Sequence, residues 1–342
     1  MTLTEDRARR PALAVFPGGL NALLALAGLA VIFLACIIGT TPMAPARVMA
    51  TLMGLGDPVE TTIVWLIRAP RALAAFAVGT ALGMSGAALQ GLLRNPLAEP
   101  GVLGVSAAAA LGASLSLYYG LAFFWPPFLA LAAIAGALAA TALLTLAAIR
   151  TRSVVTLLLI GVGLSSFAGA LMALLMNLAP NPFSLSDMVN WMLGSVANRS
   201  FDDLALAAPF MAAGAAILMF YRRGLSLLTL GEEAAAGAGL DLKRQRIAVV
   251  AGAGLATGAS VALAGAIGFV GIVAPHLVRP LVRHDPARSL VPSALLAGII
   301  LVAADIFVRL APTASELRLG VVAALIGAPA FVAIAMQRRL GP

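Results

Sequence analysis

The acids, histidines and cysteines of this 342-residue sequence are few enough to weigh one by one for chemistry. Asp305 is the one acid inside an apolar run, and Arg309 follows it by four residues. That spacing puts both on one helix face, which favours a local ion pair over a proton relay. His276 and His284 have no cysteine partner and no H-E-x-x-H pattern, so they read as structural, and no metal site is expected. Cys36 is the single cysteine and excludes an intrachain disulfide. No G-x-x-x-x-G-K-S/T loop is present, so the chain should not hydrolyse ATP itself, and no catalytic residue or cofactor is expected. Arg68 and Arg71 precede a long apolar run, where either one could snorkel to an interface.

The elements that must position these residues follow from composition. Hydrophobic residues make up 61% of the chain and charged ones 11%, where a soluble domain carries about a quarter charged residues. A soluble enzyme, a disordered chain and a nucleic-acid binder are excluded; the class is a polytopic membrane protein. A crossing helix needs about 20 mostly apolar residues. Such stretches fall near 20–38, 63–90, 102–120, 127–149, 154–178, 203–221, 247–265, 268–283, 293–310 and 320–336, about ten in all. The eighth is short and interrupted by Pro275. Residues 1–19 form a polar segment with Arg7, Arg9 and Arg10, and 20–342 form one transmembrane domain. The first apolar run is too long for a signal peptide, and Thr40-Thr41-Pro42 is a poor cleavage site, so a retained helix is expected. With a cytoplasmic N-terminus, sixteen of the 22 basic residues fall inside and six outside, and both termini are cytoplasmic. The net charge of +8 is then a topology signal, not a binding surface.

Small residues recur at helical spacing, as in Gly79-x-x-x-Gly83 and Gly254-x-x-x-Gly258, which suits close helix packing in lipid. Gly79, Gly86, Ala87 and Pro96 match Gly258, Gly265, Ala266 and Pro275 at one offset of 179 residues. That shift carries the second span onto the seventh, which runs the opposite way. An inverted repeat is the architecture of a transporter with a central pathway.

Longer motifs carry a family resemblance. The run Arg68-Ala69-Pro70-Arg71 is followed by Val78 to Gly86, then Gln90-Gly91-Leu92-Leu93-Arg94-Asn95-Pro96-Leu97-Ala98-Glu99-Pro100. Further on stand Trp191 to Ser195, Leu230-Gly231-Glu232-Glu233-Ala234-Ala235, Gly265 to Gly271 with Pro275-His276, and Leu325 to Pro329. From about residue 60 onward the chain resembles the permease subunits of binding-protein-dependent ABC importers for iron-siderophore complexes, haem and cobalamin. The resemblance implies an all-α inverted-repeat permease of ten spans in the bacterial inner membrane. It implies a second permease copy, two cytoplasmic P-loop ATPase subunits and an extracytoplasmic substrate-binding protein as partners.

It also implies roles for particular residues. Arg68, Arg71 and Arg309 would form sockets for glutamates of the binding protein; exposed arginines suit this because they stay charged and grip carboxylates in a fork. The loop at about 222–246 would be the element coupling the permease to the ATPase, through Leu230, Gly231, Glu232, Glu233, Ala235 and Gly239. There Thr229-x-x-Glu232 reads as a capping box, Gly237 and Gly239 end the helix, and Leu227, Leu228 and Leu230 leave an apolar edge wanting a partner. Asn95, Pro96 and Leu97, with Ser153 in the turn Thr151-Arg152-Ser153, would narrow a cytoplasmic gate. Arg318 replaces the proline of the family's Glu-Leu-Pro-x-Gly, so the turn before the last span is expected to differ.

The function expected is the pathway subunit of an ATP-driven importer, a homodimer working by alternating access on an iron chelate, haem or corrinoid. A secondary transporter or channel would need buried ionisable residues along the path, and an intramembrane enzyme a paired catalytic constellation; the sequence nearly lacks the first and lacks the second.

Overall fold

The computed structural model describes residues 17–151, 153–312 and 316–337. The polar N-terminal residues 1–16, Arg152 of the turn after span four, and Arg338 and Arg339 lie outside the described residues. Among the described residues, seven helices are long and apolar enough to cross a bilayer: Gly18–Ile37, Pro58–Leu93, Pro127–Arg150, Val154–Asn177, Phe201–Phe220, Leu242–Ala264 and Pro286–Leu310. Three shorter apolar helices, Val105–Tyr118, Val270–Val282 and Leu319–Val332, fall third, eighth and tenth in chain order. Together these are the ten spans expected, and are called spans one to ten below.

Local sequence signals begin the helices. Ser153, Ser200, Asp241 and Asp285 each accept a backbone N–H of the first turn, at spans five, six, seven and nine. Asp57 and Glu60 form a capping box at the start of span two. Span two then widens into a π-helical stretch, Thr62–Arg68, just before Pro70, which cannot donate to the carbonyl four residues back.

Span three has only 14 residues, about 21 Å of helix, too short for a hydrocarbon core of about 30 Å. It follows a non-helical stretch, 94–99, and a short 3-10 turn, Pro100–Leu103; span eight likewise follows the non-helical 265–269. Protein covers both stretches in part: Pro96, Ala98, Pro100 and Ile267 are buried. The two stretches meet inside the bundle, where Phe269 N–H donates to Glu99 Oε1 at 2.7 Å.

The two halves also pack alike. Span two lies along span nine and span seven along span four, pairs that a shift of five spans interchanges. The matched glycines occupy these crossings: a Cβ on Gly79 would strike the backbone of Ala297 and Gly298, and one on Gly258 the methyl of Ala137. Gly86 shows the tightest approach, its missing Cβ being the place of the Gly271 carbonyl on span eight. Because that neighbour is backbone, Gly86→Ala must part the two spans, and a loss of about 1–3 kcal/mol is expected. Gly163→Ala on span five meets nothing within 4 Å and should be neutral to slightly stabilising. Thermal unfolding of both variants in one detergent compares them.

Candidate functional site

Hydrogen bonds sort the charged residues to two ends of the bundle. One end holds the turns after spans two and four, the segment between spans six and seven, and the turn before span nine: Arg246 reaches Thr151 and Glu232, Arg279 reaches Gln90, and Ser226 reaches Asp285. The opposite end gathers Arg68, Arg71, Arg309 and Arg318.

At the opposite end, Arg68 is 5% exposed. Its Nη1 donates to the carbonyls of Cys36 and Ile37 at 2.9 and 2.8 Å, and its Nη2 to that of Thr41. It therefore serves the end of span one, where the last carbonyls lack partners within the helix. Arg71 is 9% exposed and grips Asp305 as a fork, Nε donating to both carboxylate oxygens at 3.0 and 3.1 Å and Nη2 to Oδ1 at 2.8 Å. Arg71 Nη2 also donates to Glu316. Asp305 is fully buried and pairs with Arg309 at 3.2 Å on its own helix, as the spacing predicts. Arg309 Nη1 donates to the carbonyls of Ala35 and Ile38 at 2.9 and 3.1 Å.

The exposure expected of Arg68 and Arg71 is thus corrected: both are enclosed, because carbonyls and carboxylates of the chain itself engage their donors. The structure does bring the three arginines together. They line one cavity of about 370 Å³ with Gly39, Thr41 and Glu316 among its other walls. Arg318 donates to Asn190 Oδ1 at 2.7 Å, and its carbonyl accepts the N–H groups of Val321 and Val322 at 3.1 and 3.2 Å. The residue in the proline's place thus opens span ten directly.

At the basic end, a short helix, Glu232–Gly237, stands outside every span. The capping box expected from Thr229 and Glu232 does not form. A 3-10 turn, Leu228–Leu230, sets the Thr229 hydroxyl on the Ser226 carbonyl at 2.6 Å, and Gly231, at φ 99°, takes the N-cap position. The far end closes as expected at glycine: Gly239 has φ 90°, its N–H donates to Ala236 at 2.9 Å, and Leu240 N–H donates to Ala235 at 3.0 Å. Of the three leucines expected at an apolar edge, Leu228 is buried, Leu227 half-buried and Leu230 exposed. The helix has two sides. Leu230, Glu233 and Gly239 face outward, whereas Ala235 is buried and Glu232 accepts from Arg246 Nη2 at 3.1 Å. Arg246, 6% exposed, also donates from Nη1 to the Thr151 carbonyl at 3.4 Å, joining this helix to the turn after span four.

The turn after span two is held by its own side chains. Asn95 Oδ1 accepts Leu97 N–H at 3.0 Å, and Pro96 is buried while Asn95 is exposed. Pro96 shares a cavity of about 290 Å³ with Gln90, Arg94, Thr229, His284 and Asp285. Ser153 caps span five by accepting Thr156 N–H at 3.2 Å. Sequence reasoning passed over Glu99 and Arg246. Burial raises the Glu99 carboxyl above its ordinary value, with the Phe269 N–H opposing. The flanking Ala98 and Pro100 were the one local sign that it turns inward.

The FecCD transport family matches residues 25–337. The chain is 38% identical over 294 residues to the ABC transporter permease protein YvrB of Bacillus subtilis (strain 168), covering 84% of this chain and 83% of that protein. It is 40% identical over 277 residues to the vitamin B12 import system permease protein BtuC of Klebsiella pneumoniae, covering 81% and 83%. Among solved structures, an inward-facing conformation of a metal-chelate type ABC transporter superposes with a TM-score of 0.81 at 28% identity, covering 94% of this chain and 99% of that one.

Proposed function

This chain belongs to the FecCD transport family, and from that premise we propose that it forms the pathway of an ATP-driven importer for a large chelated substrate. The observation that carries the reading is the short helix Glu232–Gly237 outside the spans, with Leu230 and Glu233 turned outward and Glu232 tied inward to Arg246. An exposed apolar residue on a helix outside the spans fits a cleft in a partner, here a P-loop ATPase at the cytoplasmic end. Asn95, Pro96, Leu97 and Ser153 then lie at the gate on that side.

The cavity of Arg68, Arg71 and Arg309 faces the other way and takes carboxylates of a substrate-binding protein outside the inner membrane. Spans five and ten leave Val155, Leu159, Phe167, Leu325 and Ile326 exposed, apolar faces suited to a second copy and to a cavity for a bulky ligand. The likeness to vitamin B12 permeases makes cobalamin the first substrate to try, ahead of haem and iron-siderophore complexes.

Vesicles holding the chain with its ATPases and binding protein test this. ATP should drive uptake, and Leu230→Arg with Glu233→Arg should lower it at least about tenfold, as loss of a central contact does. Uptake by the chain alone on an ion gradient would overturn the reading.

A further inference from the structure

The cavity at the end opposite the coupling helix carries an unequal pair of carboxylates. Arg68, Arg71, Arg309 and Glu316 line it; Arg71 pairs with both Glu316 and Asp305, and Arg309 pairs with Asp305, which lies behind the cavity wall. Asp305 is fully buried, held by two arginines and out of reach of any partner. Glu316 instead lines the cavity from the segment just before span ten, and its side chain is 39% exposed. It accepts from Arg71 Nη2, which also donates to Asp305 Oδ1, while Arg71 Nε donates to Asp305 alone.

We propose that Glu316 is a built-in stand-in for a partner's carboxylate: it occupies Arg71 in the undocked chain and is exchanged for an acidic side chain of the docking protein. The inference rests on the docking role given above to this cavity. Exchanging one carboxylate for another leaves the local charge balance unchanged, so the buried Arg71–Asp305 fork need not open. An incoming acid that failed to displace Glu316 would face it as a like charge. Glu316 also lies two residues before Arg318, which bonds Asn190, and four before Gly320, whose N–H donates to the Gly194 carbonyl at 3.1 Å. Its release removes one of the contacts that hold the chain leading into span ten, so the same exchange reports docking to that span.

The test measures affinity of the full transporter in nanodiscs for its binding protein, at low and high salt. Glu316→Gln removes the competing charge and should bind about threefold to fivefold tighter at low salt, the scale of a part-exposed ion pair. Glu316→Asp keeps the charge and should stay near the parent. Unchanged or weaker binding by Glu316→Gln overturns the inference, as does equal tightening by both variants, which would reflect a loosened segment. Arg68→Gln separates the two readings, because Arg68 engages carbonyls and its loss strands no acid. Weaker binding by Arg68→Gln with no gain from Glu316→Gln defeats the exchange alone; unchanged binding by Arg68→Gln at either salt defeats docking and the exchange with it.

Discussion

Asp305→Asn is expected to cost about 3–5 kcal/mol of stability, the scale of removing one partner from a buried ion pair. The carboxylate is fully buried and answers two guanidinium groups, Arg71 through a fork and Arg309 one turn along its helix. With a neutral amide in its place, both guanidinium groups stay charged, Arg71 keeps Glu316 as an acidic partner, and both remain enclosed among spans one, two and nine. Thermal unfolding in detergent should show the loss. Arg71→Met combined with Asp305→Asn should cost less than the two single losses added together, because each single variant already removes the same pair. If the double variant is instead the sum of the two single ones, the pair is not coupled and this account of the site fails. The same geometry makes charge reversal at Arg71 a test of folding: a third carboxylate would stand beside Asp305 and Glu316.

Arg246→Ala is expected to separate ATP hydrolysis from transport. Its guanidinium is the bridge between the coupling helix, through Glu232 at 3.1 Å, and the turn after span four, through the Thr151 carbonyl at 3.4 Å. A planar fork serves two acceptors at fixed directions, which a lysine ammonium does not reproduce. Without it, a push on Leu230 and Glu233 moves a helix no longer joined to that turn. Losing a part-buried hydrogen bond to a charged group is worth about 1.5–3 kcal/mol, so uptake should fall by on the order of tenfold or more, with hydrolysis by the assembled complex retained. Arg246→Lys should recover only part of the uptake. Parallel loss of uptake and hydrolysis would mean that Arg246 merely holds the permease together.

What was legible in the sequence shared one property: it was local. Apolar runs marked all ten spans, and the ends were readable wherever Asp, Ser, Pro or Gly took a cap, as at Asp241, Asp285 and Gly239. Asp305 and Arg309 were readable as a pair because a helix fixes residues four apart. The unread contacts were those made by folding. Arg71 meets its carboxylate 234 residues away, so nothing near it predicted that its donors would be occupied and its surface enclosed. Leu228 looked like an exposed edge until the segment folded back on the bundle. Thr229 and Glu232 had capping-box spacing, but Gly231 between them offered a left-handed start the spacing does not register. Glu99 sat in a proline-flanked turn, and only its meeting with Phe269 shows it enclosed.

The separation of Arg71 from Asp305 has a consequence for how the chain is made. Synthesis at about 5–20 residues per second places on the order of ten to fifty seconds between the two. Throughout that interval span two exists with a cation near its end and no carboxylate on span nine to receive it. The nascent helix must keep that side chain at the headgroup level, where a long arginine can reach water, and draw it inward only when span nine arrives. The fork between them is thus a late event in biogenesis, and the closing of that end of the bundle waits on nearly the whole chain.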